Sequence, residues 1–243
     1  MPNPPVYESD LAYIHDQGYN AFARGIAPDL LARFRQAGLA GGRVVDLGCG
    51  SGIWAGELLA AGYQVDGVDL SPAMIEIARQ RVPGARFHVD SFLTFPLPSC
   101  QTVTALGEVF CYLFDENNSF AALTELFAKV FRSLVAGGML VFDAADTERC
   151  RGLKQAFREG PDWTCLVEYR RDESRQQLVR RIVTFRQLET LYRRHEETHI
   201  QQLYDPAAIV RALKGIGYEV EVTRSFGEYP LLDNVVGFIA RKP

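Results

Sequence analysis

Val44-Val-Asp-Leu-Gly-Cys-Gly-Ser-Gly52 is the stretch whose reading decides the fold. A β-branched run ends on an acid, Asp46; glycines follow at 48, 50 and 52; then an apolar helix start begins at Ile53. Glycine belongs where a backbone must bend sharply or admit a ligand closely. Seventeen residues after Gly52, at the end of a second apolar run, stands Asp69. The dinucleotide fingerprint is GxGxxG, and a phosphate-binding P-loop requires GxxxxGK[ST]; this stretch is neither. A carboxylate at Asp46 repels a pyrophosphate and welcomes an ammonium group. An acid on the next strand suits the hydroxyls of a ribose.

Outward from this turn, strands alternate with helices. Residues 8–38 carry Phe22, Leu30, Leu31 and Phe34 at near-helical spacing and stop at Gly38. Arg43–Leu47 reads as a first strand, 53–61 as a helix ended by Gly62, and 64–69 as a second strand. Ser71 followed by Pro72 has the form of a helix N-cap. Further strands are expected over 85–89, 102–106 and 139–143. Between the last two lies a helix in which Phe120, Leu123, Phe127, Phe131 and Leu134 recur every three or four residues. This alternation predicts a mostly parallel sheet covered on both faces, with ligands outside the carboxyl ends of the strands. Acids stand at five expected strand ends: Asp46, Asp69, Asp90, Glu108 and Asp143.

Residues 147–203 break the pattern. LVEYRRDESRQQLVRRIVTF reads as two strands around a polar turn, whereas 188–203 fits either a helix or a strand. Arg170, Arg171, Arg180 and Arg181 are expected to face solvent. Asp205-Pro206 then starts a helix, and YEVEVTRSF and NVVGFIAR close the chain as an antiparallel pair.

With 47% hydrophobic residues and 15 Phe, the chain can bury a large core. Its net charge of −4 argues against a nucleic-acid partner. It has no apolar run long enough to span a bilayer and no secretory leader pattern, so no membrane partner and a cytoplasmic location are expected. Five cysteines without CxxC pairs suit reduced thiols rather than disulfides or zinc.

The DxGxGxG pattern resembles the first motif of the class I S-adenosylmethionine (SAM)-dependent methyltransferases. LVAGGMLVFD is similar to the LxPGGxLxxxD segment of that family, with Ala136 in place of the usual Pro. The resemblance covers nearly the whole chain. It implies an α/β Rossmann-like, seven-stranded, mostly parallel sheet with helices on both faces, its last strand antiparallel, plus N-terminal lid helices and an antiparallel β insertion. Residues 1–146 and 204–243 would form the SAM-binding core, with 1–40 as a helical lid and 147–203 as an inserted substrate-side subdomain. HEETHIQQLYDPAAIVRALKGIGY resembles the sugar N,N-dimethyltransferases.

The resemblance further implies SAM as cofactor, released as S-adenosyl-L-homocysteine (SAH). Asp46 and Gly48 would hold the methionine amino end, Cys49 would be a small filler, and Gly50 would let the backbone pass the ligand. Asp69 would take the ribose hydroxyls. Leu70 and Met74 would flank the adenine, with Asp90, Ser91 and Phe92 at its amino edge. Gly107, Glu108 and Tyr19 complete the expected cofactor set.

In-line methyl transfer depends on positioning, with a base where the nucleophile must lose a proton. Glu108, His15 and His199 are the catalytic candidates; His15 has the intrinsic pKa for the task. Tyr13, Tyr112, His195 and Tyr204 are candidates for contact with the acceptor. His195–His199 also spells HEETH, a formal match to the HExxH zinc motif. That motif needs a helix and a third ligand, and the other histidines are His15 and His88. In a strand, His195, Glu197 and His199 would instead share one face. No metal is expected. The function expected is methylation of a nitrogen or oxygen of a small molecule. The alternatives are a protein or RNA methyltransferase and a SAM-binding regulatory module without turnover. Self-association, if any, is expected through the insertion.

Overall fold

The computed structural model describes residues 6–243. Its frame is a seven-stranded sheet made of β1 (Arg43–Leu47), β2 (Gln64–Asp69), β3 (Arg86–Val89), β4 (Cys100–Ala105), β5 (Leu134–Ala145), β10 (Glu219–Thr223) and β13 (Val235–Arg241). Their order across the sheet is β10-β13-β5-β4-β1-β2-β3. β1 pairs in parallel with β2 and β4, β2 with β3, and β4 with β5, while β13 runs antiparallel to both β5 and β10. The expected sheet and its reversed last strand are therefore present. The order reverses at β1, which is flanked by β2 and β4. At such a switch point neighbouring connections leave toward opposite faces and open a crevice at the carboxyl ends.

Two helical layers cover this sheet. On one face α2 (Ala21–Gln36), α3 (Ile53–Ala60) and α4 (Pro72–Arg81) bury Ile26, Leu30, Phe34, Trp54, Leu58 and Ile75. On the other, α5 (Phe120–Ser133) and α6 (Pro206–Ile216) bury Leu123, Phe127, Ile209 and Leu213. Phe142 of β5 lies at the centre of this second layer. It stacks on Phe127 and Phe238 at centroid separations of 5.4 and 4.8 Å and meets Phe110 at 5.2 Å. Local signals set the helix starts. Ser71 Oγ accepts from Met74 N at 3.1 Å, and Asp205 Oδ1 accepts from Ala207 N at 2.9 Å, each ahead of a proline at the first helical position.

Three details sharpen or correct the sequence expectation. The N-terminal helical region is two helices, α1 (Ser9–Gly18) and α2, separated at Tyr19-Asn20. β5 starts at Leu134, directly after α5, so Gly137-Gly138 lies inside the strand; Gly137 has φ +76°. The ambiguous 188–203 region is a strand. β6 (Gln155–Gly160), β7 (Trp163–Asp172), β8 (Gln177–Leu188) and β9 (Leu191–Gln202) form a separate four-stranded antiparallel sheet in that order. β11 (Ser225–Phe226) and β12 (Tyr229–Pro230) add a short hairpin.

The second sheet is fastened over the crevice. Leu113 N, beyond the end of β4, donates to Ile200 O at 2.9 Å, and Tyr204 N donates to Ala145 O at 3.1 Å. α1 joins the sheet to the core. Its Leu11 and Ile14 pack on Trp163, Cys165, Val167 and Ile182. Its buried Asp10 pairs with Arg186 and Arg193 of the second sheet, while its buried Asp16 pairs with Arg81 of α4 at 2.7 Å. No helix among the described residues is long and apolar enough to cross a membrane.

Phe142→Ala removes the ring shared by three aromatic neighbours. It is expected to lower unfolding stability by about 3–5 kcal/mol, read from the midpoint shift in urea denaturation; an unchanged midpoint would show that the layer closes over the gap.

Candidate active site

A cavity of about 360 Å3 lies between the carboxyl ends of β1, β2 and β4 and the inner face of the second sheet. The lower half is the sheet end. Gly48 adopts φ +67°, and a side chain there would also collide with Val109, whose methyl carbons lie 2.5 Å from where a Cβ would be. Gly50, at φ +51°, would meet no atom within 4 Å, so its backbone borders open space. Gly50 N donates at 2.9 Å to Asp69 Oδ2, and Ser71 N donates at 2.8 Å to Asp69 Oδ1. Burial holds the Asp69 carboxyl above the usual range.

Asp46 is almost fully enclosed. Its Oδ1 accepts from the Thr104 hydroxyl at 2.7 Å, and Thr104 in turn accepts from Trp54 Nε1 at 3.2 Å. Burial pushes the Asp46 carboxyl up to about 7, and the nearby Asp69 charge adds to the shift. Among the described residues no cationic side chain pairs with this buried carboxylate, which a cation would stabilise. The open backbone at Gly50, the acid at Asp46 and the spare lone pairs of Asp69 together suit a ligand with an ammonium end and a diol. That combination fits the amino-acid and ribose parts of SAM. The walls include Leu70, Met74, Asp90 and Phe92.

Past β4, Gly107 and Glu108 both take positive φ, +97° and +60°. A buried acid fixes this turn: Asp143 accepts from Gly107 N at 2.7 Å and from Glu108 N at 3.0 Å. Asp143 thus differs from the other strand-end acids. It does not border the cavity, and its part is to hold Glu108 there. Its carboxyl is raised to about 7 by burial. Glu108 is itself engaged: Arg149 Nη2 and Nε donate to its two oxygens at 3.2 and 3.3 Å, and Gln201 Nε2 at 3.4 Å.

The upper half comes from α1, the N-terminal strap and the second sheet. His15 stacks on Tyr19 with centroids 5.2 Å apart and lies edge-on to Tyr7 at 5.2 Å. Burial, assisted by the Arg180 charge, lowers His15 to about 4, so this ring is neutral at physiological pH and holds a proton weakly. Tyr7 Oη lies 3.2 Å from Tyr112 Oη, which also accepts from Arg180 Nη1 at 2.7 Å.

Of the residues singled out from the sequence, Asp46, Gly48, Cys49, Gly50, Asp69, Leu70, Met74, Asp90, Phe92, Gly107, Glu108, His15, Tyr19 and Tyr112 border the cavity. Ser91 is tied to Asp115 instead, at 2.5 Å. Tyr13 lies outside the wall, with its hydroxyl on Asp162 at 2.9 Å and its ring under Arg186 at 3.8 Å. Tyr204 is buried against Phe120, in the layer below.

His195 pairs with Glu8 at 3.0 Å and is partly exposed. His199 is fully buried behind the wall, its Nε2 2.8 Å from Glu197 Oε2. Glu197 accepts from Tyr7 N and Glu8 N at 2.9 Å each, so this triplet anchors the N-terminal strap rather than reaching a reactant. HEETH runs along strand β9, which removes the helical spacing a zinc motif requires.

Among the cavity residues that escaped the sequence reading are Tyr7, Tyr169, Gln201, Arg149 and Arg180, the last expected to face solvent. For Arg180 a signal existed. Strand alternation puts Leu178, Arg180 and Ile182 on one face and Arg181 on the other. Arg181 accordingly faces Glu196 and solvent, while Arg180 faces inward.

Residues 44–138 match the family model described as a methyltransferase domain. Over 241 residues the chain is 27% identical to a putative methyltransferase of Geobacillus sp. (strain WCH70), covering 91% of this chain and 92% of the relative. It is 37% identical over 130 residues to the trans-aconitate 2-methyltransferase of Delftia acidovorans, covering 51% of this chain and 44% of that one. Among solved structures, a SAM-bound amino pentose methyltransferase from Micromonospora echinaspora superposes with a TM-score of 0.77 at 21% identity, covering 100% of both chains.

Asp46 and Asp143 have folded-state pKa values near 7, above the ordinary carboxylate value, so the folded protein binds more protons than the unfolded chain between about pH 4 and 7. Their contribution to stability is full below the ordinary carboxylate pKa and is lost as pH rises through 7. Thermal denaturation of the free protein is therefore expected to show Asp46→Asn gaining on the wild type between pH 5.5 and 8. A difference that stays flat across that range would put the Asp46 pKa elsewhere.

Proposed function

We propose that the chain is a class I SAM-dependent methyltransferase that transfers a methyl group from SAM to a nitrogen or oxygen of a small molecule, within the cavity under the second sheet. The observation that carries this reading is the shared cavity: acids at the sheet ends border the same space as a separate wall of aromatic and apolar side chains. A protein or RNA acceptor would need an open or basic surface, whereas this space is covered by α1 and by Tyr7.

In this reading Asp46 receives the ammonium end, Asp69 the ribose hydroxyls, and Asp90 with Phe92, Leu70 and Met74 the adenine. When bound, SAM supplies an activated methyl on a sulfonium. The residues of this chain bind, align and exclude water. Glu108, held by Arg149 and Gln201, presents a fixed negative group beside the crevice. With its lone pairs engaged, it orients an N–H or O–H better than it carries a proton away. His15, lowered to about 4, adds an aromatic wall rather than a strong base. Alignment within an enclosed site is then the main contribution of the protein. The insertion at 147–203 is the acceptor-side unit. Leu166 and Ile200 on its outer face are exposed, and they offer the surface for any homodimer.

Calorimetry with SAH tests the donor half. Asp69→Ala is expected to weaken binding by about 1–3 kcal/mol through lost buried hydrogen bonds; unchanged affinity would remove Asp69 from the site. Asp46 must be ionised to meet an ammonium, so wild-type affinity should fall by up to about tenfold per pH unit below 7. Asp46→Asn should abolish that slope. For the acceptor half, SAH release is measured against panels of amino-sugars, carboxylic acids and phenols. Glu108→Gln is expected to lower turnover while leaving SAH affinity near wild type; full activity would dismiss an orienting role.

A further inference from the structure

Arg180 differs from the other arginines around the cavity. It projects from the inner face of β8, directly opposite Tyr169 of β7 and His199 of β9 in the strand register. Its Nη1 donates to Tyr112 Oη at 2.7 Å, yet its buried Nε has no partner. Among the described residues, no carboxylate lies within ion-pair distance of it, whereas Arg149 is paired with Glu108. A guanidinium stays charged at any pH a protein meets and carries five donors in a planar fork. Holding one in a closed space without a counter-ion costs free energy that a ligand can return. The fork matches a carboxylate, which can accept two parallel N–H bonds.

Placement assigns this fork to the acceptor. Arg180 stands on β8 of the second sheet, between Tyr169 and His199 in the register, and its one side-chain bond is to Tyr112, past the end of β4. Asp46 and Asp69 stand instead at the ends of β1 and β2, on the sheet side of the cavity. The wall beside it is apolar: Leu11, Val167, Leu178 and Ile182 border the same space. Resting on the methyltransferase reading above, we infer that the methyl acceptor is a carboxylic acid with an apolar body, its carboxylate seated on Arg180 and steadied by the Tyr112 hydroxyl. An ammonium in that place would face an uncompensated guanidinium, so amino-sugars are disfavoured as acceptors.

The test uses SAH-loaded protein and matched probes: phenylacetate, 4-hydroxybenzoate and indole-3-acetate, each against its primary amide, with glucosamine as the cationic control. Calorimetry is expected to show at least one acid bound about tenfold or more tighter than its amide, the scale of a charge-assisted bidentate contact. Arg180→Met should erase that preference, and Arg180→Lys should keep part of it. SAH affinity should stay within about twofold of wild type in both. The melting temperature of free Arg180→Met should equal or exceed that of wild type, since an unpaired buried charge is gone. The inference is overturned if no acid in the panel binds better than its amide, or if glucosamine binds in preference to every acid. It is also overturned if Arg180→Met costs SAH about tenfold or more, because the fork would then belong to the carboxylate of the donor. Wild-type protein that fails to bind SAH at all would instead overturn the methyltransferase reading.

Discussion

One carboxylate ties the site together. Asp69 accepts from Gly50 N with one oxygen and from Ser71 N with the other, so the turn after β1 and the turn after β2 are pinned to a single buried group. Ser71 then caps α4 through Met74 N and donates its hydroxyl to Tyr7 O at 2.8 Å. The N-terminal strap is thereby fixed to the same point. Two parallel strands, two helix starts and the cover of the cavity all converge there. Burial makes the charge expensive, and backbone N–H groups are the compensation.

A similar device recurs at the next strand end with a different outcome. Asp143 also accepts from two backbone N–H groups, those of Gly107 and Glu108, and it too is buried. The two groups it holds, however, are consecutive, so it fixes one turn rather than joining two. Asp69 faces the cavity; Asp143 supports the turn that does. A row of acids at strand ends therefore contains both ligand-facing and turn-holding members. The difference lies in whether the carboxylate's own oxygens border open space.

This explains how far the sequence could be read. The parallel frame was legible because each strand, cap and glycine turn is local: VVDLGCGSG, Ser71-Pro72 and Asp205-Pro206 each carry their geometry within a few residues. The sheet-end half of the cavity was legible for the same reason, since its residues follow directly on strands β1 to β4. The half under the second sheet depends on pairing between β7, β8 and β9, whose register no local motif records. HEETH illustrates the loss. Helical spacing and strand alternation both accommodate its histidines, and only pairing with β8 makes it a strand whose buried Glu197 clamps Tyr7 and Glu8. His199 consequently packs behind the wall instead of lining it. The break at Tyr19-Asn20 was hidden as well, because apolar residues continue at helical spacing across it.

The two halves of the cavity are also electrostatically unlike, and this follows from how each is built. Parallel strand ends deliver acids, because the β-to-α turns reward carboxylates that bond backbone N–H groups. An antiparallel sheet offers no such N–H groups on its face, since they are spent on the ladder. Polarity there must come from side chains. On the inner face of the second sheet the pair Tyr169–Arg180 supplies it, set among Val167, Leu178 and Ile182. Glu108 and Arg149 neutralise one another where the halves meet. What is left is a surplus of negative charge at Asp46 and Asp69 and a surplus of positive charge at Arg180. Such an arrangement sets the two unlike charges on opposite walls of one cavity with apolar side chains between them, where charge interactions are less screened than in bulk water.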